Sequence, residues 1–255
     1  MKNKLGQNFL IDEKTAKREV EYADISKDDV VLEIGPGKGI LTKILAEKAK
    51  KVIAVEIDEK LFFQLKPLVS DNVELIHSDI LKIDLKNISG FNKVVANLPF
   101  QISSPITFQL LDYDFDVAIL IYQKEFAERM VAKSGSKNYS RLSVNVYYKA
   151  DCEILETIPS SFFKPVPKID SCIVKLVLKK QAPFEVRNKK FFFELTKKLF
   201  TYRRKKIKTI IKKYYTKNLK DIPFLENRVE DLSPDQIGLI SNHLINKQTL
   251  FTSVK

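Results

Sequence analysis

Three glycines within five positions constrain the fold more than any other feature of the sequence. The chain has only seven glycines, and Gly35, Gly37 and Gly39 follow directly after the apolar run Val30–Ile34. Glycine costs backbone entropy on folding, so it is kept where the backbone needs a positive φ or must approach another group closely. Apolar residues then recur at helical spacing over 38–48. The pattern predicts a buried strand, a tight glycine turn and a helix.

The same alternation of short apolar runs and helical stretches continues along the chain. Further strands are expected at residues 52–56, 73–77, 92–96 and 116–122. Helices are expected at 59–68, from Ser103 onwards, and at 124–133. Strands that alternate with helices at this spacing predict a parallel sheet with helices on both faces.

The segment from residue 140 to residue 180 completes the first domain. Residues 142–148 are ambiguous, because their β-branched side chains favour a strand, but we expect a helix capped by Ser140. Two last strands are expected at 153–158 and 171–178.

The composition changes after Lys180. Residues 181–183 form a plausible linker, and apolar residues then recur at helical spacing. Ser233 and Pro234 have the residue types of a helix cap and a first helical position. We therefore expect one domain over 1–180 and a small, all-helical domain over 181–255.

The positive charge of the chain is concentrated in one block. The net charge is 44 − 32 = +12, and residues 188–220 carry thirteen Lys and Arg against a single acid, Glu194. The rest of the chain is therefore neutral, and a neutral body with one basic block is typical of polyanion binding. Isoleucines interleave with the charges, which predicts a basic helix face that contacts the phosphates of a polyanion. Its central residues are Arg203, Arg204, Lys205 and Lys206.

Several classes of protein are excluded by composition. Two cysteines cannot form a disulfide framework, and two histidines without a Cys-x-x-Cys argue against zinc, so no metal site is predicted. The longest apolar run, 117–122, is far too short to cross a bilayer. No apolar segment of an export signal follows residues 1–4. We expect a cytoplasmic protein without membrane contact, and nothing in the sequence demands a dimer.

The glycine turn favours one class of cofactor. An acid at the tip of the next strand, Glu56, can accept both hydroxyls of a ribose. Nicotinamide enzymes use Gly-x-Gly-x-x-Gly, but position 40 is Ile40, and the Gly-x-Gly-x-Gly found here is commoner in S-adenosylmethionine enzymes. Asp79 and Ile80 follow the third strand, where they can contact an adenine, although an Asp after a strand is also a common turn residue.

The most specific motif is Asn97-Leu98-Pro99-Phe100, which follows the fourth strand. The nitrogen of an exocyclic amine is a poor nucleophile, and acceptors on its two N–H groups stabilise the charge that develops during methylation. Asn97 offers a side-chain carbonyl, and Leu98 offers a main-chain carbonyl turned outward by the following proline. Pro99 has no competing donor. Phe100 can stack on a base, but an ordinary proline turn with a core phenylalanine fits the tetrapeptide as well.

A proline-rich loop provides a second aromatic candidate. Prolines at 159, 165 and 167 make the loop rigid, and it carries Phe162 and Phe163. A rigid loop with an aromatic can close the second face of a flipped base. We expect one phenylalanine to be core and the other functional.

Together these motifs resemble the ribosomal RNA adenine N6,N6-dimethyltransferases, the kasugamycin-resistance methylase family. The likeness runs from Leu5 to about Leu178, and beyond Lys180 only the helical, basic character is similar. Its pieces, in order, are Gly6 to Leu10, Glu33 to Gly37, Glu56, Asp79, Asn97 to Phe100, Gln123 to Glu125, and Phe163 to Ser171. Position 100 is Phe where the family more often has Tyr, and Ser78 stands where glycine is frequent.

The resemblance implies a Rossmann-like, S-adenosylmethionine-dependent methyltransferase sheet with a small helical domain. The enzyme would dimethylate two adjacent adenosines in a hairpin loop near the 3′ end of small-subunit ribosomal RNA. In that case Asn97, Leu98 and Pro99 hold the target nitrogen, and Phe100 and Phe163 stack on the base. The cofactor residues implied are Asn8, Leu10, Gly35, Gly37, Glu56, Asp79, Ile80 and Asn97.

Three other functions remain open from the sequence. The first is an adenine methylase that acts on large-subunit ribosomal RNA or on DNA. The second is a ribosome-assembly factor that binds RNA and whose activity is incidental or lost. The third is a nicotinamide oxidoreductase, against which Ile40 argues.

Overall fold

The computed structural model describes residues 7–88 and 90–252, with side chains described as far as residue 245. Residues 1–6 lie outside this range, so it contains neither Leu5 nor Gly6 of the resemblance, nor the segment searched for an export signal. Contacts between Cα atoms divide the chain into two compact units. The first comprises the described residues up to Ala127 together with Ala150–Leu178, and the second comprises Glu128–Lys149 and the described residues from Lys179 onwards.

A seven-stranded sheet forms the centre of the first unit, with strand order β4-β3-β2-β5-β6-β9-β7. A separate pair, β1 (Phe9–Leu10) and β8 (Phe163–Lys164), is antiparallel. The strands of the large sheet are β2 (Val30–Ile34), β3 (Lys51–Glu56), β4 (Val73–His77), β5 (Lys93–Asn97), β6 (Val117–Gln123), β7 (Ala150–Ile158) and β9 (Ser171–Leu178). The strands predicted from the sequence are thus confirmed, most of them to within one residue at each end.

The sheet is mixed, which corrects the expectation of a parallel one. Strands β4, β3, β2, β5 and β6 are parallel, whereas β9 is antiparallel to both β6 and β7. A parallel connection needs a crossover, usually a helix. The chain between β7 and β9 contains only the one-turn 3₁₀ helix Ser160–Phe162 and the short β8, so the chain returns beside β7 in the opposite direction.

Helices accompany the strands in chain order. They are α1 (Glu13–Tyr22), α2 (Ile40–Lys48), α3 (Glu59–Leu65), α4 (Ser103–Leu110), α5 (Lys124–Met130), α6 (Arg141–Lys149), α7 (Lys189–Thr201), α8 (Ile207–Tyr214) and α9 (Pro234–Thr252). Helix α1 was not predicted from the sequence. The Asp12 side chain caps it by accepting the Thr15 N–H. None of the described helices is both long and apolar enough to span a bilayer.

The core of the first unit lies between the sheet and two of its helices. Helix α1 contributes Ala16 and Val20, and α2 contributes Leu41 and Leu45, to a cluster that also includes side chains of β2, β3, β5 and β6. Burial of each large aliphatic side chain stabilises a fold by about 1.5–3 kcal/mol. This packing anchors both ends of the glycine turn, because β2 precedes the turn and α2 follows it.

The second unit has its own apolar core and includes a segment that the sequence had assigned to the first domain. Phe192, Leu195, Ile210 and Ile240 are buried together there, and Tyr148 of α6 packs against Phe192 with ring centroids 5.2 Å apart. The helix expected at 142–148 is confirmed as α6, although the Ser140 N–H donates to the Ser143 hydroxyl. Because the apolar face of α6 is buried in this core, residues 128–149 belong to the second unit, and the division differs from a single boundary at residue 180.

Candidate active site

The principal cavity of the first unit opens at the carboxyl ends of β2, β3, β4 and β5. Open α/β sheets bind ligands at this edge. The cavity has an empty volume of about 1030 Å³, including the solvent at its mouth. Nine of the residues predicted from the sequence line it, and they are Asn8, Leu10, Gly35, Gly37, Glu56, Asp79, Ile80, Asn97 and Pro99.

The glycine turn brings the first motif against the turn that follows β5. Gly35, Gly37 and Gly39 all have positive φ, at +69°, +57° and +79°. A Cβ atom on Gly35 would lie 3.5 Å from Cδ of Pro99. The Gly35 N–H donates to the carbonyl of Val55 at 2.9 Å, which ties the turn to the tip of β3. The two motifs singled out from the sequence therefore meet in one cavity.

Glu56 is a fixed carboxylate at the end of β3. Only 2% of the residue is exposed. Its Oε2 accepts the Gly37 N–H at 3.0 Å, and its Oε1 accepts the Asp58 N–H at 2.8 Å. Burial raises the pKa of Glu56, while these main-chain donors act in the opposite direction. The carboxylate is thus held in one orientation at the wall of the cavity, as a group that binds ribose hydroxyls must be.

Asp79 is a turn residue that also lines the cavity. Its Oδ1 accepts the Leu81 N–H at 3.0 Å and caps a 3₁₀ turn, Ile80–Lys82, so the turn interpretation is correct. The residue also lines the cavity, next to the buried side chain of Ile80. A carboxylate beside an apolar wall suits the amino edge and the flat face of an adenine.

The turn after β5 presents two carbonyl groups. The Asn97 amide nitrogen donates to the main-chain carbonyl of Asn8 at 3.4 Å, which orients the side chain. Within the described part of the chain, neither Oδ1 of Asn97 nor the Leu98 carbonyl accepts a recorded hydrogen bond. The Leu98 side chain is buried, and Pro99 is extended with φ −57° and ψ 124°. Phe100 is half-buried and stands outside the set of lining residues.

The structure corrects the role expected for Phe163. Its ring is 0% exposed and belongs to the core of the first unit, so neither ring face is open to a base. The main chain explains the placement, because Phe163 pairs with Leu10 in the small β1–β8 sheet. Phe162 is half-buried at the same core. Asn8 reinforces this connection by donating from Nδ2 to the Pro165 carbonyl at 2.6 Å.

Two buried carboxyl groups in the cavity wall were not predicted as site residues. Glu33 lies in β2 within a motif quoted for the resemblance, and Glu19 lies on α1. Both residues line the cavity. Glu19 follows Thr15 and Ala16 at helical spacing, so an acid on the buried stripe of a helix was the available signal. Among the described residues, no group of three or more His, Cys, Asp or Glu side chains is arranged to hold a metal ion.

The basic cluster lies in the connection between α7 and α8 rather than on a helix face. Arg203 forms a salt bridge with Glu230, at 3.1 Å from Nε to Oε2, and Lys206 forms one with Glu226 at 2.8 Å. Arg204 and Lys205 are exposed. Because α7 ends at Thr201 and α8 begins at Ile207, the four cations lie in the turn between the two helices. The ion pairs of Arg203 and Lys206 stabilise that turn.

The fold and the cavity define a class of enzyme. A Rossmann-like sheet carries at its carboxyl edge a glycine turn, a fixed carboxylate after the second strand and an acid beside an apolar wall after the third. These residues fit S-adenosylmethionine, because the glycines leave room beside the Pro99 ring and each strand tip offers the polar group that one part of the cofactor requires. The chain is an S-adenosylmethionine-dependent methyltransferase.

Comparisons with known proteins identify the family. The family described as "Ribosomal RNA adenine dimethylase" matches residues 1–246. The "Probable ribosomal RNA small subunit methyltransferase A" of Methanococcus maripaludis is 46% identical, over 96% of this chain and 98% of that protein. A protein of the same description from Methanococcoides burtonii is 45% identical, over 95% and 93%. The chain belongs to the ribosomal RNA adenine dimethylase family, and it is a ribosomal RNA adenine dimethyltransferase.

Solved structures agree with this assignment. A dimethyladenosine transferase from Plasmodium falciparum superposes with a TM-score of 0.82 at 30% identity, covering 94% of this chain and 98% of that one. The 23S rRNA methyltransferase ErmE superposes with a TM-score of 0.69 at 28% identity, covering 93% and 100%. Both likenesses extend beyond the sheet to nearly the whole chain.

Proposed function

We propose that this enzyme dimethylates N6 of two adjacent adenosines in a hairpin loop near the 3′ end of small-subunit ribosomal RNA, during biogenesis of that subunit. The observation that carries the chemistry is the contact between the two turns. Gly35 and Pro99 are neighbours, and Asn97 lines the same cavity as Glu56 and Asp79. The named relatives at about 45% identity act on the small subunit by description, which supports the substrate.

Asn97 and Leu98 perform the central step. Their two carbonyl oxygens, without a recorded partner among the described residues, accept the two N–H groups of the target amine. This draws the nitrogen lone pair out of conjugation and stabilises the positive charge that grows on nitrogen. When bound, S-adenosylmethionine supplies the methyl group. No side chain has to remove a proton before the transfer, so the site needs no histidine.

Pro99 and Phe100 position the base. Pro99 lacks an N–H, so it offers no donor that would compete with the amine. Phe100 opens the 3₁₀ helix that follows and is only half-buried. We assign it the stacking face for the adenine, which by analogy with single-strand binders contributes about 1–3 kcal/mol. Phe163 is not assigned this role, because its ring is buried.

The second unit supplies affinity for RNA. Arg204 and Lys205 are exposed in the turn between α7 and α8, where they can contact phosphates. Phosphate contacts hold a substrate in place and carry no sequence information, so the choice of adenosine rests on the first unit. We propose that the enzyme acts as a monomer in the cytoplasm, where ribosomal RNA is assembled into subunits.

A large-subunit substrate is the second candidate, and the superposition with ErmE supports it. The identity to ErmE is 28%, however, against 46% to the small-subunit relative from Methanococcus maripaludis. The small subunit is therefore the better-supported substrate.

One experiment separates these substrates. The purified protein and its Asn97→Ala variant are incubated with labelled S-adenosylmethionine and, separately, with unmodified small subunits, naked small-subunit RNA, large subunits and duplex DNA. We expect N6,N6-dimethyladenosine only in the small-subunit samples, and at least a hundredfold less with the variant. Label in the large-subunit or DNA samples alone would replace our substrate. Full support of subunit assembly by the variant would identify a binding factor instead.

A further inference from the structure

The strongest unexplained feature of the cavity is the Glu19 side chain. The residue is 0% exposed, and neither carboxyl oxygen has a hydrogen-bond partner among the described residues. It nevertheless lines the cofactor cavity. A buried carboxyl without a partner costs folding free energy. We therefore expect a buried carboxyl without a partner at a ligand site to bind a polar group of the ligand.

Glu33 is a second buried carboxyl in the wall of the same cavity. It lies in β2, is buried, lines the same cavity and has an Oε2 without a partner. The two carboxyls are close enough for the charge of Glu33 to raise the pKa of Glu19. Burial raises both values, that of Glu33 to about 8. Burial therefore favours the protonated form of both carboxyls while the cavity is free of ligand.

The other described groups around Glu19 and Glu33 include no cation that compensates their charge. Glu56, on β3, adds a further negative charge that raises the pKa of Glu33, and only the polar groups of Thr42 act in the opposite direction. Among the described residues that line the cavity, Lys38 is the one cationic residue, and its ammonium lies over the Phe9 ring, 5.4 Å from the centroid. No lysine or arginine contributes to the pKa shift of either carboxyl.

The cofactor has a cationic group that fits this place. S-adenosylmethionine carries a sulfonium and an α-ammonium. The sulfonium must face the Asn97–Pro99 turn, at the tip of β5, for its methyl to reach the target amine. Glu33 lies within β2, which leads into the glycine turn, and Glu19 lies on α1, which packs in the same core as α2, so the group available to them is the ammonium at the far end of the methionine chain.

We propose that Glu19 is a further cofactor-binding residue: with Glu33 it binds the α-ammonium of S-adenosylmethionine, and the pair releases a proton to solvent when that ammonium arrives. The attraction between opposite charges is strong in a buried site. An adjacent cation favours the ionised carboxyl, which is why the proton leaves. This inference rests on the cofactor assignment and is independent of which RNA is methylated.

Two ligands that differ only in the amino acid portion test this proposal. S-adenosylhomocysteine carries the ammonium, whereas 5′-methylthioadenosine has the same adenosine thioether without the amino acid end. Calorimetric titrations at pH 7 in phosphate and in Tris, which differ in ionisation enthalpy, count the protons released. For the natural protein we expect proton release with S-adenosylhomocysteine and none with 5′-methylthioadenosine. Equal proton release with both ligands, or none with either, would overturn the proposal without any variant.

Glu19→Gln provides the second arm, with Glu21→Gln as the matched control. Glu21 lies on the same helix but is exposed. We expect Glu19→Gln to bind S-adenosylhomocysteine at least tenfold more weakly and to release fewer protons, while its affinity for 5′-methylthioadenosine stays within about twofold. Glu21→Gln should match the natural protein with both ligands. If Glu19→Gln weakened the binding of both ligands equally, Glu19 would have only a structural role. If the natural protein bound neither ligand, the cofactor assignment would be wrong as well.

Discussion

At the scale of single residues, the proposed chemistry depends on oxygen atoms whose partners arrive with the substrate. The Asn97 amide nitrogen donates to the Asn8 carbonyl, and in the proposed mechanism its Oδ1 accepts an N–H group of the target amine. Glu56 is already satisfied by two main-chain N–H groups. The difference agrees with the roles we propose, in which Asn97 acts during the reaction and Glu56 holds the cofactor in place.

Replacement of Asn97 should therefore affect the rate and not cofactor binding. In Asn97→Ala the amine loses one of its two acceptors, and loss of one preorganised polar contact to a transition state typically costs 10²–10³ in rate. We expect kcat to fall by about that factor, while the Kd for S-adenosylhomocysteine changes less than about threefold. Single-turnover methylation and calorimetry measure the two quantities. A variant with normal kcat would exclude Asn97 from the chemical step.

At the scale of elements, the glycine turn between β2 and α2 is limited by space as well as by conformation. Gly39 has φ +79°, and a Cβ there would lie 2.5 Å from Cδ1 of Leu65. Gly90 has a comparable φ of +66°, but nothing lies within 4 Å of its Cβ position. The two positions share the backbone cost of a positive φ and differ in crowding.

This pair gives a stability prediction with an internal control. Gly90→Ala should lose about 1–2 kcal/mol, because an L-residue is strained at positive φ. Gly39→Ala should lose a further 1–3 kcal/mol or so from the steric contact. Denaturant unfolding of both variants measures the difference. Equal losses would mean that Leu65 moves aside freely and that crowding does not select glycine at position 39.

The connections between elements also decide which aromatic residue of the proline-rich loop has a ring face open for stacking on a base. The proline-rich loop alone did not distinguish Phe162 from Phe163, and the resemblance implied Phe163. Pairing of β8 with β1 buries the Phe163 ring in the core and leaves Phe162 half-buried. The partner strand is more than 150 residues away along the chain, so a local pattern could not reveal this pairing.

At the scale of the whole molecule, the buried carboxyls make stability depend on pH. The unfolded chain releases the Glu33 proton near its ordinary pKa of 4.5, whereas the folded protein holds that proton up to a pKa of about 8. Between these values the folded state binds more protons, so stability falls as pH rises.

Without ligand, the protein should therefore lose stability between about pH 5 and pH 8. The slope should be at most about 1.4 kcal/mol per pH unit for each carboxyl. Glu33→Gln should flatten the profile, because an amide does not titrate. Thermal or denaturant unfolding across this range provides the measurement. A natural protein whose stability rises with pH over the same window would contradict the burial argument.

The charge distribution of the molecule gives a prediction for RNA binding. Arg203 and Lys206 are held by Glu230 and Glu226, so the exposed pair Arg204 and Lys205 is the better test. Neutralising both to Gln should weaken binding to small-subunit RNA and reduce the slope of log K against log salt by about 1.8.

The matched control for this prediction uses two lysines of the first unit, at the edge of the sheet opposite the cavity. Lys48 and Lys50 are exposed where α2 ends, away from the cavity where α2 begins. Neutralising them changes the net charge equally, so it should leave the salt slope unchanged. If both double variants reduce the slope alike, total charge rather than the turn between α7 and α8 governs binding.

The sequence by itself determined the elements and motifs whose information is local. Short apolar runs placed the strands of the large sheet, and Gly35, Asn97 and Pro99 line one cavity because the carboxyl ends of neighbouring parallel strands meet at one edge. Only the tertiary structure decided the antiparallel β9, the placement of residues 128–149 in the second unit, the burial of Phe163 and the role of Arg203 as the partner of Glu230. Each of these depends on contacts between segments distant in the chain, which local periodicity does not encode. The place of Glu19 in the cavity wall belongs with them, because it depends on how α1 packs against the rest of the first unit.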